Sequence, residues 1–132
     1  MKLALQTTTT APTASRPLLE GVQKSLGFVP NMMGVIANSP AALEGYLSLS
    51  GALAKGALPP KLREQIALAV AEINGCGYCL SAHTLLGGMA GLATDEILSA
   101  RKSAAADSKS DAALKLALSH NRTTFVGKVD DC

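Results

Sequence analysis

The sequence of 132 residues has no tryptophan and only two residues each of phenylalanine and tyrosine. It also lacks an excess of one charge, because 12 basic and 10 acidic residues give a net charge of +2. A nucleic-acid-binding protein usually presents a basic stripe to the phosphates and aromatic rings to the bases. Since neither feature is present, we expect no nucleic acid among the partners of this protein.

The sequence also lacks a long hydrophobic run. The longest apolar stretches, such as Ile66 to Ala71, are far shorter than the roughly 20 residues that a helix needs to cross a bilayer. The apolar segment after Lys2 ends at Leu5, which is too short for a signal peptide. These absences predict a cytoplasmic protein with no membrane partner. Thiols stay mostly reduced in that compartment, so closely spaced cysteines there indicate catalysis or metal binding.

Small and aliphatic residues make up most of the remaining sequence. Hydrophobic residues account for 48% of the chain, and with so few aromatic rings the core must consist of Ala, Leu, Val, Ile and Met. No segment alternates apolar and polar residues as a strand would. We therefore predict an all-α fold of about six helices.

Caps and helix breakers predict the boundaries of these elements. Residues 1–15, rich in threonine, are expected to form an extended arm that is either disordered or laid on a neighbouring subunit, and residues 16–132 a single helical domain. The segment Ile66 to Ala71 is apolar on every side, so its helix should be buried all round. The predicted helices run from Ser15 to Gly27, over 32–37, from Ser39 to Gly56, from Pro59 to 73, over 76–90, from a cap at Thr94, and over 112–123, with a loop over 104–111.

The C-terminal residues resemble the approach to another helix. Val129, Asp130 and Asp131 follow a glycine, and the sequence then stops at Cys132. Either this tail is only an arm or the chain is truncated there. We interpret Cys132 as an incidental thiol.

The segment NGCGYCLSAH, residues 74–83, contains the residues that can do chemistry. On a helix, Cys76, Cys79 and His83 would line one face. Cα atoms at the spacing of the two cysteines lie about 5 to 6 Å apart, which is within reach of a disulfide. The first turn of a helix favours a thiolate, and His83 could accept its proton or stabilise the anion.

A tight turn is predicted at Asn74 and Gly75, between two antiparallel helices. Reflecting the sequence about that turn puts Glu64 within one helical turn of His83, where its carboxylate could orient the imidazole. The result would be a relay from Glu64 through His83 to Cys79. Glu72 is an alternative to Glu64 as the acidic residue of the site, since the same reflection puts it near the cysteines.

Three other interpretations of these residues remain open. The two cysteines could be small buried residues in a helix seam. They could bind zinc together with His83, although a closed zinc site needs four ligands and no second ligand pair is present. A non-enzymatic oligomer whose thiols only sense oxidants would have the same sequence pattern.

The segment REQIALAVAEINGCGYCLSAHT, residues 63–84, resembles the alkylhydroperoxidase D-like branch of the carboxymuconolactone decarboxylase superfamily. The signature of that branch is Glu, eleven residues, Cys, two residues, Cys, three residues, His, and Glu64, Cys76, Cys79 and His83 fit it. Residues 17–35, PLLEGVQKSLGFVPNMMGV, are similar to the N-terminal half of peroxidase-related members.

The resemblance implies an all-helical subunit that assembles into a homo-oligomer, either a trimer or a hexamer of dimers. It implies a thiol-dependent hydroperoxide reductase in which peroxide oxidises Cys79 to a sulfenic acid. Cys76 would then donate a proton and resolve the sulfenic acid, and His83 and Glu64 would form the proton relay. No bound cofactor is expected beyond the redox-active Cys76–Cys79 disulfide and an external dithiol.

The reductant implied by the resemblance is a peroxiredoxin or a lipoylated protein, and the sequence itself does not distinguish them. The best-studied members of the branch carry another histidine just before the second cysteine, where this sequence has Tyr78. Their mode of proton delivery therefore does not carry over directly. The lactone decarboxylases of the same superfamily, which act on a cyclic organic acid without a cysteine pair, are the alternative enzyme class.

Overall fold

The computed structural model of the protein describes residues 2–125. These residues contain seven helices and no strand, which confirms the predicted all-α fold. The predicted C-terminal tail, including Cys132, lies outside the described residues. The helices are α1 (Arg16–Leu26), α2 (Asn31–Ile36), α3 (Pro40–Ala54), α4 (Pro60–Ile73), α5 (Gly77–Met89), α6 (Thr94–Arg101) and α7 (Ser108–Phe125). None of the helices in this part of the chain combines the length and apolar character needed to cross a membrane.

The chain folds as two compact units, of which the first ends at Gly56 and the second begins at Ala57. Each unit has its own hydrophobic core. The division into an arm over residues 1–15 and one domain over 16–132 stays a prediction.

The first unit is built around α1, α2 and α3. The α1 helix follows Ser15, as predicted, but the buried Ser15 hydroxyl donates a hydrogen bond to the Ala37 carbonyl at 2.8 Å instead of capping α1. The helix ends at Gly27, whose φ of 83° is the left-handed conformation that favours glycine at a helix end. The core of this unit is formed by Ala11, Leu19, Ala37 and Leu43.

The segment before α1 makes contacts with the rest of the first unit. Ala11 is buried in the core, and the Gln6 N–H donates to the Gly34 carbonyl at 3.1 Å. The Asn38 side chain donates to the Ala4 carbonyl at 2.7 Å. A Cβ atom at Gly34 would come within 2.7 Å of the Gln6 carbonyl oxygen, so only glycine allows this close approach.

The second unit is organised around α4, which packs against α5, α6 and α7. Every residue from Ile66 to Ala71 is buried or half-buried, in agreement with the burial predicted from its sequence. The core of this unit consists of Leu62, Leu68, Ala69, Leu92, Ile97, Ala100, Leu114 and Leu118. Because α4 is held on several sides, it is the fixed element on which the candidate site is built.

Two predicted helix starts were wrong. The α6 helix is capped at Ala93 instead of Thr94, because the Glu96 carboxylate accepts the Ala93 N–H at 2.8 Å. The α7 helix begins four residues before Ala112, because the Asp107 carboxylate accepts the Ser110 N–H at 2.8 Å. The polar residues interpreted as loop over 104–111 therefore contain an N-cap and the first turn of a helix.

Candidate active site

A tight turn joins α4 to α5 at the position predicted from Asn74 and Gly75. Asn74 ends α4, and Gly75 has a positive φ of 61°. The turn is held by a hydrogen bond of 3.0 Å from the Cys76 N–H to the Ala71 carbonyl. It is also held by the Asn121 amide of α7, which donates to the Asn74 side-chain oxygen at 2.9 Å. The two cysteines are therefore presented by a turn with fixed geometry.

The two cysteines of this turn form a disulfide. Their Cα atoms are 5.3 Å apart, within the range expected for this spacing on a helix. Cys76 is the N-cap residue of α5, and Cys79 is the third residue of that helix. The Cys76 sulfur accepts a hydrogen bond of 3.2 Å from the Cys79 N–H. Both residues are half-buried.

Glu64 of α4 and His83 of α5 are brought together across the helix hairpin. The distance from Glu64 Oε2 to His83 Nδ1 is 2.8 Å, and the two side chains are 20% and 33% exposed. An ionised carboxylate can only accept hydrogen bonds, so in that pair Nδ1 donates and Nε2 is left to exchange a proton elsewhere. His83 lies one turn after Cys79 on α5, so the pair is next to the disulfide.

Gly87 allows the close packing on which the Glu64–His83 contact depends, and the sequence reasoning missed it. Gly87 is buried, and a Cβ atom there would lie 3.0 Å from Leu92 Cδ1 and 3.8 Å from the Glu64 Cβ. The available signal was its spacing, because Gly87 is four residues after His83 and therefore on the same face of α5. A residue without a side chain lets α5 approach α4 at the level of Glu64.

Glu72, the competitor for the role of Glu64, is paired with a different residue. Its Oε2 lies 2.6 Å from Nε of Arg101, the last residue of α6. The hydrogen bond from Arg101 lowers the pKa of Glu72, and the same bond raises the pKa of Arg101. Glu72 therefore stabilises the contact between α4 and α6 and is not the partner of His83. Arg101 was not identified from the sequence because it lies on a separate helix.

One face of α5 is apolar and exposed within its unit. Tyr78, between the two cysteines, is 46% exposed, and Leu85 and Met89 are 51% and 56% exposed. Leu85 is seven residues after Tyr78, and Met89 is four residues after Leu85, so the three side chains lie on one side of the helix. The prediction that methionine fills the core is wrong for Met89, because α5 packs along α4 with its opposite face.

The part of the chain that the structure describes contains no set of ligands for a metal ion. No three histidine, cysteine, aspartate or glutamate side chains between residues 2 and 125 come together as they would around a metal ion. A zinc site needs at least three such ligands.

The model of the carboxymuconolactone decarboxylase family matches residues 40–119. The matched segment includes the α4–α5 hairpin with Glu64, both cysteines and His83. The comparison with curated proteins gives no match.

Proposed function

The chain belongs to the carboxymuconolactone decarboxylase family, and from this premise we propose that it is a thiol-dependent peroxidase that reduces hydroperoxides. Members of this family are often enzymes, either decarboxylases or peroxidase-like proteins. The observation that carries the proposal is the Cys76–Cys79 disulfide beside the Glu64–His83 hydrogen bond on one hairpin. A lactone decarboxylase has no need of a cysteine pair, so this arrangement favours redox chemistry.

In the proposed first step, the Cys79 thiolate attacks the terminal oxygen of a hydroperoxide. A sulfur–oxygen bond forms, the oxygen–oxygen bond breaks, and the leaving alkoxide takes up a proton to become an alcohol. His83 supports this step, since its Nε2 can accept the proton of the Cys79 thiol. Glu64 holds the imidazole through Nδ1 and stabilises its positive charge.

In the second step, the Cys76 sulfur attacks the sulfenic acid on Cys79. The disulfide forms, and the hydroxyl group leaves as water after protonation. An external dithiol then reduces the disulfide and supplies the two electrons that the peroxide received. We propose a peroxiredoxin or a lipoyl-type dithiol as that reductant, with no bound cofactor.

Peroxide consumption with dithiothreitol or dihydrolipoamide as the electron donor tests the proposal. We expect saturable turnover by the wild type in metal-free protein and no turnover by Cys79→Ser. Cys76→Ser should turn over more slowly than the wild type, because only the external dithiol can then reduce its sulfenic acid. Far-UV circular dichroism of each variant controls for the fold.

Three results would contradict the proposed function. Turnover in Cys79→Ser at the wild-type rate would remove Cys79 from the reaction. Absence of turnover in the wild type would leave the thiols as a redox sensor, and stoichiometric zinc in the same preparation would favour a metal site. Decarboxylation of a cyclic lactone acid without peroxide turnover would assign the protein to the other enzyme class.

A further inference from the structure

We propose that the disulfide is reduced in one direction: the external thiol attacks Cys79, and Cys76 leaves as the thiolate. This inference rests on the proposed dithiol–disulfide cycle, but it does not depend on peroxide being the oxidant. It assigns to each cysteine a different role toward the reductant, which the spacing of the two residues leaves undecided.

The position of Cys76 at the start of α5 is the first observation. Cys76 has an extended backbone, with φ of −84° and ψ of 90°, and its sulfur accepts the Cys79 N–H at 3.2 Å. This is the position and the hydrogen bond of a Ser or Asp N-cap. The first N–H groups of a helix have no partner within the helix, and the dipole there favours negative charge. A thiolate on Cys76 is therefore stabilised by backbone groups that are already in place.

Cys79 has a different environment, which is the second observation. It lies inside the first turn of α5, and its own N–H is directed to Cys76. The group that lies one turn away is His83, whose Nδ1 is held by Glu64 at 2.8 Å. Stabilisation of a Cys79 thiolate thus depends on a titratable side chain, whereas that of Cys76 depends on the backbone.

This difference determines which sulfur leaves. In thiol–disulfide exchange the attacking thiolate bonds to one sulfur, and the electron pair of the broken disulfide passes to the other. The sulfur with the lower thiol pKa leaves faster. Attack on Cys79 places the developing charge on Cys76, where the helix start stabilises it. Attack on Cys76 would place the charge on Cys79 instead.

The complete reduction then has two exchanges. In the first, the reductant thiolate forms a mixed disulfide with Cys79 while the Cys76–Cys79 bond breaks. In the second, the remaining thiolate of the reductant attacks the reductant sulfur that is bonded to Cys79. This closes the disulfide of the reductant and releases Cys79, which takes up a proton. The dithiol loses two electrons and becomes a disulfide, and the protein gains them as two thiols.

The mixed disulfide can be trapped with a monothiol. Full-length wild-type protein, oxidised with diamide, is mixed with glutathione, quenched with acid after milliseconds to seconds, and alkylated with N-ethylmaleimide. Chymotrypsin cleaves after Tyr78 and so separates Cys76 from Cys79, and mass spectrometry then locates each label. We expect glutathione on Cys79 and maleimide on Cys76, in several-fold excess over the reverse. An even distribution, or glutathione mainly on Cys76, overturns the inference.

A second measurement uses the single-thiol variants Cys79→Ser and Cys76→Ser, both made in a Cys132→Ser background because the sequence has three cysteines. The Cys79→Ser variant retains the N–H at position 79, so the cap of Cys76 is preserved. We expect the pH midpoint of Cys76 alkylation to lie about one unit below that of Cys79 in the other variant. Adding His83→Ala should shift the midpoint of Cys79 and leave that of Cys76 in place. Equal midpoints in the two single-thiol variants contradict the inference.

These results separate the inference from the proposed function. Glutathione on Cys79 without any peroxide turnover would contradict the peroxidase proposal and support the direction of reduction. Normal peroxide turnover with glutathione on Cys76 would support the peroxidase proposal and contradict the direction of reduction.

Discussion

At the scale of single residues, two glutamates on α4 have different roles that their positions in the sequence do not reveal. Glu64 contacts His83 at 2.8 Å, whereas Glu72 contacts Arg101 at 2.6 Å. They are eight residues apart, which is a rotation of only about 80° on a helix. Their positions in the sequence are therefore compatible with a contact to α5 for both glutamates, and only their partners in the structure distinguish them.

These two glutamates form a matched pair for a test of the relay. The Glu64→Gln substitution removes the negative charge that supports His83, and we expect peroxide turnover to fall about tenfold or more, as is typical for groups that orient a reacting imidazole. The Glu72→Gln substitution on the same helix should leave turnover unchanged, because the Glu72 carboxylate pairs with Arg101 of α6 and not with His83. Steady-state peroxide assays of the two variants make the comparison. Equal losses in both would mean that the effect is structural.

Gly87 and Gly88 provide a second matched pair. A Cβ atom at Gly87 would press on Leu92 Cδ1 at 3.0 Å, whereas a Cβ atom at Gly88 would have no atom within 4 Å. Alanine at Gly88 should stabilise the protein by about 0.5 to 1 kcal/mol and leave activity unchanged, since alanine favours a helix. The Gly87→Ala variant should have a free energy of unfolding about 1 to 3 kcal/mol lower than that of the Gly88→Ala variant.

The Gly87→Ala variant should also lose turnover, because α5 would move away from α4 at the level of Glu64. Urea unfolding and peroxide assays of the two alanine variants give both quantities. A Gly87→Ala protein that is as stable and as active as Gly88→Ala would contradict the role assigned to this glycine.

At the scale of helices, Asp107 determines where α7 begins. Its carboxylate accepts the Ser110 N–H at 2.8 Å. Hydrogen bonds from the Ser110 side chain and then from its backbone N–H lower the pKa of Asp107 from its usual 3.8. Because the pKa in the folded chain lies below that in the unfolded chain, Asp107 contributes stability above its usual pKa. That contribution is lost as the pH falls through the folded pKa.

The Asp107→Asn substitution tests this cap. Asparagine is an N-cap residue of similar strength, but it does not titrate. We expect the variant to resemble the wild type at pH 7 and to lose less of its stability between about pH 5 and pH 3. Urea midpoints measured across that range give the comparison. Parallel curves for the two proteins would show that Asp107 does not contribute to the acid sensitivity.

At the scale of the whole molecule, each of the two units has a helix with exposed apolar residues. On α3 the exposed residues include Leu49 and Leu53, at 61% and 63%, and on α5 they include Leu85 and Met89. We propose that a homo-oligomer, a trimer or a hexamer as the family resemblance implies, buries at least part of these faces. Scattered exposed apolar residues are common, but a row of them along one helix indicates an interface.

The assembly can be measured by light scattering coupled to gel filtration. We expect a mass that is a multiple of the 13.5 kDa chain. The Leu85→Glu substitution should reduce that mass, because it places a charge on the exposed face of α5. The Thr84→Glu substitution, at the neighbouring exposed position, is the control and should not. A monomeric wild type would refute the proposed assembly.

Local sequence was sufficient to predict the helices and the motif. The helix end at Gly27, the turn at Gly75 and the Cys76–Cys79 spacing depend on backbone conformation over a few residues. Such features are visible in the sequence because glycine, proline and capping residues act within one turn. The family match over residues 40–119 is consistent with the same signals.

Apart from the approach of Glu64 to His83, the contacts between helices could not be predicted in this way. Three examples are the pairing of Glu72 with Arg101, the close approach of α5 to α4 at Gly87, and the burial of Ala11. Each of them joins residues that are distant in sequence or lie on separate elements. Each depends on how closely two elements approach and at what angle, which is a property of packing rather than of periodicity. The sequence therefore indicated the reactive cysteines, and the three-dimensional packing determined which acidic side chain supports their histidine.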